Sequence, residues 1–199
     1  MDLKTTLHDY LRISREALLT KVEGLSEYDA RRPMTPTGTN LLGLVKHVAS
    51  IELGYLGDVF GRPSGRDLPW FADEAEPDAD LWVPADERLE DVLELHRFAA
   101  AHGDATIEAL DLDSPGEVPW WAPEKRAVTL GHILVHLGFE TARHAGHADI
   151  LRELVDGSAG SRPGDGNLTP RGPDGWAAHR ERIEAAAREA QRRSAGEGT

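Results

Sequence analysis

Apolar positions along the chain return every three or four residues, the interval that gathers them on one face of a helix. Leu3, Leu7, Tyr10, Leu11, Ala17, Leu18 and Val22 keep it and predict a first helix over residues 3–23. Gly24, the acidic stretch from Ser26 to Arg31, and then Pro33, Pro36 and Gly38 bring turn chemistry and read as a connection. Thr39 or Asn40 is placed to cap a second helix, in which Leu41, Leu44, Val45, Val48, Ile51, Tyr55 and Val59 hold the period until Gly61 and Pro63. Residues 62–85, dense in Pro, Gly, Asp and Glu, read as a long crossover loop anchored by Trp70, Phe71 and Trp82. A third helix starts at Asp86 and Glu87, acidic residues suited to its positive end, and carries Leu89, Val92, Leu93, His96, Ala100, Ile107 and Leu110, with Gly103 a weak point. Thr129 caps the longest helix, whose stripe of Leu130, Ile133, Leu134, Leu137, Ala148, Leu151 and Leu154 ends at Gly157, where a left-handed cap is expected. Residues 158–175 have the composition of a mobile segment, and Trp176, Ile183 and Ala187 mark a weaker terminal helix. No internal repeat and no strand pattern stands out.

These elements predict an all-α protein: a four-helix bundle over residues 1–157 with one long crossover connection, followed at 158–199 by a loop and a weaker helix packed on or trailing the bundle. With 199 residues, 40% of them apolar, the chain suffices for one core. Its net charge of -13 disfavours nucleic acid and anionic membranes, since both are bound by neutralising phosphates with Lys and Arg. No apolar run approaches the roughly 20 residues that span a bilayer, and the amino terminus lacks the basic start and apolar centre of a signal peptide, so a cytoplasmic location is expected. The sequence contains no cysteine. Any metal must therefore use His, carboxylate or water, and any reacting thiol must come from a ligand.

Helix bundles often build metal sites from inward-facing side chains on neighbouring helices, and one segment offers the material. In TLGHILVHLGFETARHAGHADILREL, His132, His136, Glu140 and His144 follow one another at four-residue spacing, with His147 three further on. Four residues turn a helix by about 400 degrees, so His136, Glu140, His144 and His147 fall within roughly 80 degrees of one another. Glu140 and His144 form the best i, i+4 ligand pair for a single cation. His47, set among Leu44, Val48 and Ile51, is the attractive third ligand, and Gly43 and Gly54 on its helix leave room for a neighbouring helix or a ligand. Three protein ligands with an open position suit catalytic zinc, with nickel, iron or manganese as alternatives. The plainer reading stands beside this one. A histidine on an apolar face is more often a hydrogen-bonded core residue, and charged i, i+4 pairs also occur on solvated faces. His8, His96, His102, His132 and His179 read as surface or structural residues.

GLVKHVASIELGYLGDVFGR and the later TLGHILVHLGFETARHAGHADILREL together resemble the DinB-like superfamily, particularly its mycothiol S-transferase branch, over most of residues 1–157. The resemblance implies a four-helix bundle with metal ligands at His47, Glu140 and His144. It also implies transfer or isomerisation chemistry in which a divalent metal activates mycothiol as cosubstrate, and a homodimer. Many relatives carry His where this chain has Glu140, while the thiol-dependent isomerase branch has a carboxylate there. His147 stands where relatives often have Gln.

The expected activity is a metal-dependent mycothiol S-transferase acting on small electrophiles. The same ligands would also serve a metal-dependent hydrolase, a non-haem iron enzyme, or a noncatalytic stress or sensing protein. His136 and His147 lie within reach as proton donors or acceptors, because imidazole titrates near neutral pH, or as groups that orient a ligand. Trp120 and Trp121 are placed either at a pocket rim or in core packing. Arg143, about 100 degrees from the ligand pair around the helix, faces a partner helix or solvent.

Overall fold

The computed structural model describes residues 2–162, 164–165 and 167–196. Its helices are α1 (Leu3–Thr20), α2 (Glu27–Arg31), α3 (Leu41–Leu56), α4 (Leu89–Ala109), α5 (Leu130–Asp156) and α6 (Pro173–Gly196), with short 3-10 turns at Asp58–Phe60, Pro69–Phe71 and Pro123–Lys125. The chain forms two compact units, Met1–Pro163 and Gly164–Thr199. The second consists chiefly of α6, whose surface carries Arg188–Glu184 and Arg193–Glu189 pairs at four-residue spacing. No described helix is long and apolar enough to cross a membrane.

In the first unit α1, α3, α4 and α5 are the four principal helices of an all-α bundle; the expected chemistry sets the starts of α3 and α5 and the close of α5, whereas α4 starts at Leu89, with Asp91 capping it, rather than at Asp86. The Asn40 side chain accepts from the Gly43 amide at the start of α3, and the Thr129 hydroxyl accepts from His132 N–H at the start of α5. Gly157 closes α5 at φ 78, a left-handed conformation that costs glycine no Cβ clash. The first helix stops at Thr20 rather than Glu23, and α3 stops at Leu56, giving way to the Asp58–Phe60 turn before Gly61. Ser26 accepts from Asp29 N–H and nucleates α2 in what reads from sequence as a plain connection.

A two-stranded antiparallel sheet also forms, contrary to the reading that no strand is present. β1 (Pro115–Glu117) pairs with β2 (Ala127–Thr129), Gly116 opposite Val128. Three-residue strands are too short to show an alternating pattern. Gly116 lies against Phe60, where an added Cβ would come within 2.7 Å of the ring.

Two large apolar clusters fill most of the bundle, beside a small third one of Ala49, Leu53 and Ala99. One joins Leu18, Leu41, Leu42, Val45 and Val48 to Val92, Ala145, Ala148 and Leu151. The other joins Leu11, Tyr55 and Leu56 to Ile107, Ile133, Leu134 and Leu137. The first holds the beginning of α3 and the end of α5 and the second holds the reverse, so these helices run antiparallel. Burying each such Leu or Ile contributes about 1.5–3 kcal/mol, enough to fix the rotation of α5 about its axis. With Ile133, Leu137, Thr141, Ala145 and Ala148 buried, the line of His136, Glu140, His144 and His147 falls at the edge of the core, half-buried and level with the seam between the clusters.

Candidate metal centre

At that seam α3 and α5 bring three side chains together. Single ligand atoms of His47, Glu140 and His144 all lie within 4.8 Å of one another. His144 Nε2 is 3.1 Å and His47 Nε2 3.8 Å from Glu140 Oε1. Ligand bonds of about 2.0–2.2 Å in a tetrahedral arrangement require donor atoms about 3.3–3.6 Å apart, and these two separations bracket that range. The imidazoles of His47 and His144 meet edge-on, their centroids 4.8 Å apart.

The crossover segment contributes a fourth group that nothing in the sequence singles out. Asp80 Oδ2 lies 2.6 Å from His47 Nδ1. Burial pushes the Asp80 carboxyl up, but the hydrogen bond and charge of His47, with Lys46 adding to them, pull it below its usual value. An ionised carboxylate only accepts, so Nδ1 carries a proton, and in the neutral tautomer this selects the lone pair lies on Nε2, facing Glu140. Two acceptors that face each other across 3.8 Å repel unless a cation or a proton lies between them. Burial lowers the pKa of His144 and the neighbouring His47 adds to the effect, against the opposing pull of Glu140. Its Nδ1 is buried without a hydrogen-bond partner among the described residues. Two neutral imidazoles and two carboxylates balance one divalent ion, so the donor set fits a metal by geometry, by tautomer and by charge.

Above the trio lies an aromatic wall. Tyr55 Oη accepts from the indole N–H groups of Trp121 at 3.1 Å and Trp120 at 3.4 Å. His136, one turn before Glu140, packs edge-on against Tyr55 and Trp121 with centroids 4.7 and 5.2 Å away. Burial lowers the pKa of His136 and His132 adds to this, while Glu140 opposes it. His147 meets His144 edge-on at 5.5 Å. Trp120 is exposed, and Trp121 is half-buried and packs against the second apolar cluster.

These positions and the fold agree with one comparison. The mycothiol S-transferase family model matches residues 6–157. The chain belongs to this family. Membership brings a mycothiol S-transferase type of function, with a small-molecule thiol and an electrophile as substrates, and the matched span contains His47, Asp80, Glu140 and His144. No curated protein matches the chain.

None of the remaining histidines of the first unit joins the trio. His8 pairs with Asp104 at 2.7 Å, His102 lies 2.7 Å from the Arg62 carbonyl, and His132 is exposed. His96 is buried, with neither ring nitrogen hydrogen-bonded among the described residues. Arg143 is exposed. Of the expected loop anchors only Trp70 acts as one, donating to Ser50 Oγ at 3.0 Å, while Phe71 and Trp82 are largely exposed. Gly54 leaves space for the Trp120 ring, 3.3 Å from where a Cβ would stand, rather than for a helix.

Proposed function

We propose that this protein is a metal-dependent mycothiol S-transferase that binds one divalent ion, zinc foremost, through His47, Glu140 and His144, and transfers the thiol to a small electrophile. The observation that carries the reading is the convergence of the three ligand atoms within 4.8 Å, inside the span matched by the family. When bound, the ion lowers the pKa of a thiol at its open position. The chain's own groups supply the rest. His47 and His144 act as neutral nitrogen donors and Glu140 as the charged one. His136, whose pKa burial lowers, lies one turn from Glu140 and is placed to accept the proton that the thiol releases. His147, beside His144, is the alternative acceptor. Tyr55, with Trp120 and Trp121 donating to its oxygen, has its own proton free to donate toward an electrophile's oxygen.

Elemental analysis of purified protein tests the ligand set. His47→Ala, Glu140→Ala and His144→Ala should each lose most of the metal that the parent retains, and His132→Ala should keep it. Full occupancy in His47→Ala or Glu140→Ala would show that the ligands are wrong. Substituting cobalt(II) and adding mycothiol tests the open position: a sulfur-to-cobalt charge-transfer band should appear in the near ultraviolet, and the cysteine-free chain cannot supply it through a thiolate of its own. An unchanged spectrum at saturating mycothiol would refute thiol activation.

A further inference from the structure

The segment 62–88 does more than cross from α3 to α4, because α3 grips it along one face. Asn40 Nδ2 donates to the Leu81 carbonyl at 3.1 Å. Gly43 gives that same carbonyl its seat: a Cβ there would stand 1.9 Å from Leu81 O and 2.6 Å from its carbonyl carbon. One turn on, Lys46 Nζ donates to the Trp82 carbonyl at 3.3 Å, pairs with Glu87 at 2.9 Å and lies 4.0 Å from the centre of the Trp70 ring. A turn further, Ser50 accepts from Trp70. Lys46 and Ser50 are buried on a helix that spends polar side chains here rather than apolar ones. Asp78 is the one non-glycine residue at positive φ, 62, among those described. Aspartate is one of the few residues besides glycine that adopt this left-handed conformation readily. Between Asp78 and the clamped Leu81 stands Asp80, aimed at His47 Nδ1.

We propose that Asp80 is a positioning residue of the metal centre, and that the clamp of Leu81 on Gly43 sets its position. The proposal rests on the metal reading above and adds a residue that the ligand set lacks. By holding the proton of His47 on Nδ1, Asp80 keeps Nε2 as the free donor and locks the ring toward Glu140. It also supplies the second negative charge that balances a divalent ion. The strap thereby makes metal affinity depend on residues that never touch the metal.

The test measures cobalt(II) affinity by competition with a chromophoric chelator, together with the visible spectrum of the bound ion and the thermal midpoint of metal-free protein. Asp80→Asn keeps the side-chain shape but removes the charge. It should bind cobalt(II) about 10–100-fold more weakly than the parent, with altered visible bands, while the metal-free midpoint stays close to that of the parent. Gly43→Ala keeps the aspartate in the chain but unseats Leu81, and with it the position of Asp80. It should weaken cobalt(II) binding in the same direction, although alanine by itself favours the helix. A parent that binds one equivalent of cobalt(II), beside an Asp80→Asn protein with the same affinity and spectrum, overturns the proposal and leaves the ligand set intact. Weakened binding in Gly43→Ala alone overturns it as well. A parent that binds no cobalt(II) removes both readings.

Discussion

His96 makes the bundle sensitive to acid in a way that can be isolated from the metal centre. It is buried on α4, faces a groove of about 770 Å³ between α1 and α4, and has both ring nitrogens without a protein partner among the described residues. Burial, with the charges of Arg15 and Arg97 adding to it, lowers its pKa to about 4. In the unfolded chain the imidazole titrates near its ordinary value of 6.5. As pH falls through that value the unfolded state takes up a proton that the folded state refuses, so stability present above it is lost progressively down to about pH 4. Between pH 7.5 and pH 5 the two pKa values give a loss of about 2 kcal/mol from this residue alone. His96→Leu removes the titrating group and no protein hydrogen bond. Urea unfolding in the presence of a chelator, at both pH values, should show the variant losing about 2 kcal/mol less than the parent. Equal losses would mean that His96 is protonated in the folded protein or hydrated within the groove, and would refute the reasoning.

Two substitutions probe the polar core beside it. Arg15 is buried, its Nη2 2.7 Å from Glu52 Oε1 and its Nη1 2.5 Å from Asp104 Oδ1, and burial holds the Glu52 carboxyl above its usual pKa despite the guanidinium. Arg15→Met should cost about 3–5 kcal/mol in urea unfolding, and the double variant Arg15→Met/Glu52→Leu should recover most of it, because a buried pair contributes little net while a buried lone charge costs much. Gly103→Ala places a Cβ 2.8 Å from both Glu52 Oε1 and Leu56 Cδ1, and should lower stability by about 1–3 kcal/mol in the same assay, despite alanine's higher helix propensity.

The helices that carry the site were legible because their signals are local. Asn40, Thr129 and Gly157 sit at helix ends where a single side chain or a single φ decides the boundary, and the four-residue spacing of His136, Glu140 and His144 fixes their shared face through the helix repeat alone. Asp80 was not legible. It is one acidic residue among many in residues 62–85, and its partner lies 33 positions away. The one local trace was Gly43, which costs its helix about 1 kcal/mol relative to alanine. Sequence spacing suggested that it admits a helix or a ligand, whereas it admits a loop carbonyl. The convergence of Trp120 and Trp121 on Tyr55 escaped notice for the same reason, since a tyrosine on an apolar stripe reads as core until its hydroxyl partners are known. Ser26 with Asp29 did carry the start signal for α2, but five residues give no period to confirm it.

The seam between the apolar clusters explains why polar groups can gather inside this bundle. A charged group within either cluster would lose its hydration with nothing to replace it, at a cost of several kcal/mol. Where the clusters meet, α3 and α5 keep half-buried positions, and the polar groups there face one another. Asp80 fixes the proton of His47, His47 and His144 both face Glu140, and His136 packs against Tyr55 and Trp121. With Asp80 included, the site carries two negative charges before any ion binds, in a chain whose net charge is -13. A bound divalent ion balances those two charges, so the loaded site presents no net charge to an arriving thiol. In the proposed reaction a thiol that enters protonated sheds its proton inside, and the imidazole of His136, one turn from Glu140, is the group placed to take it.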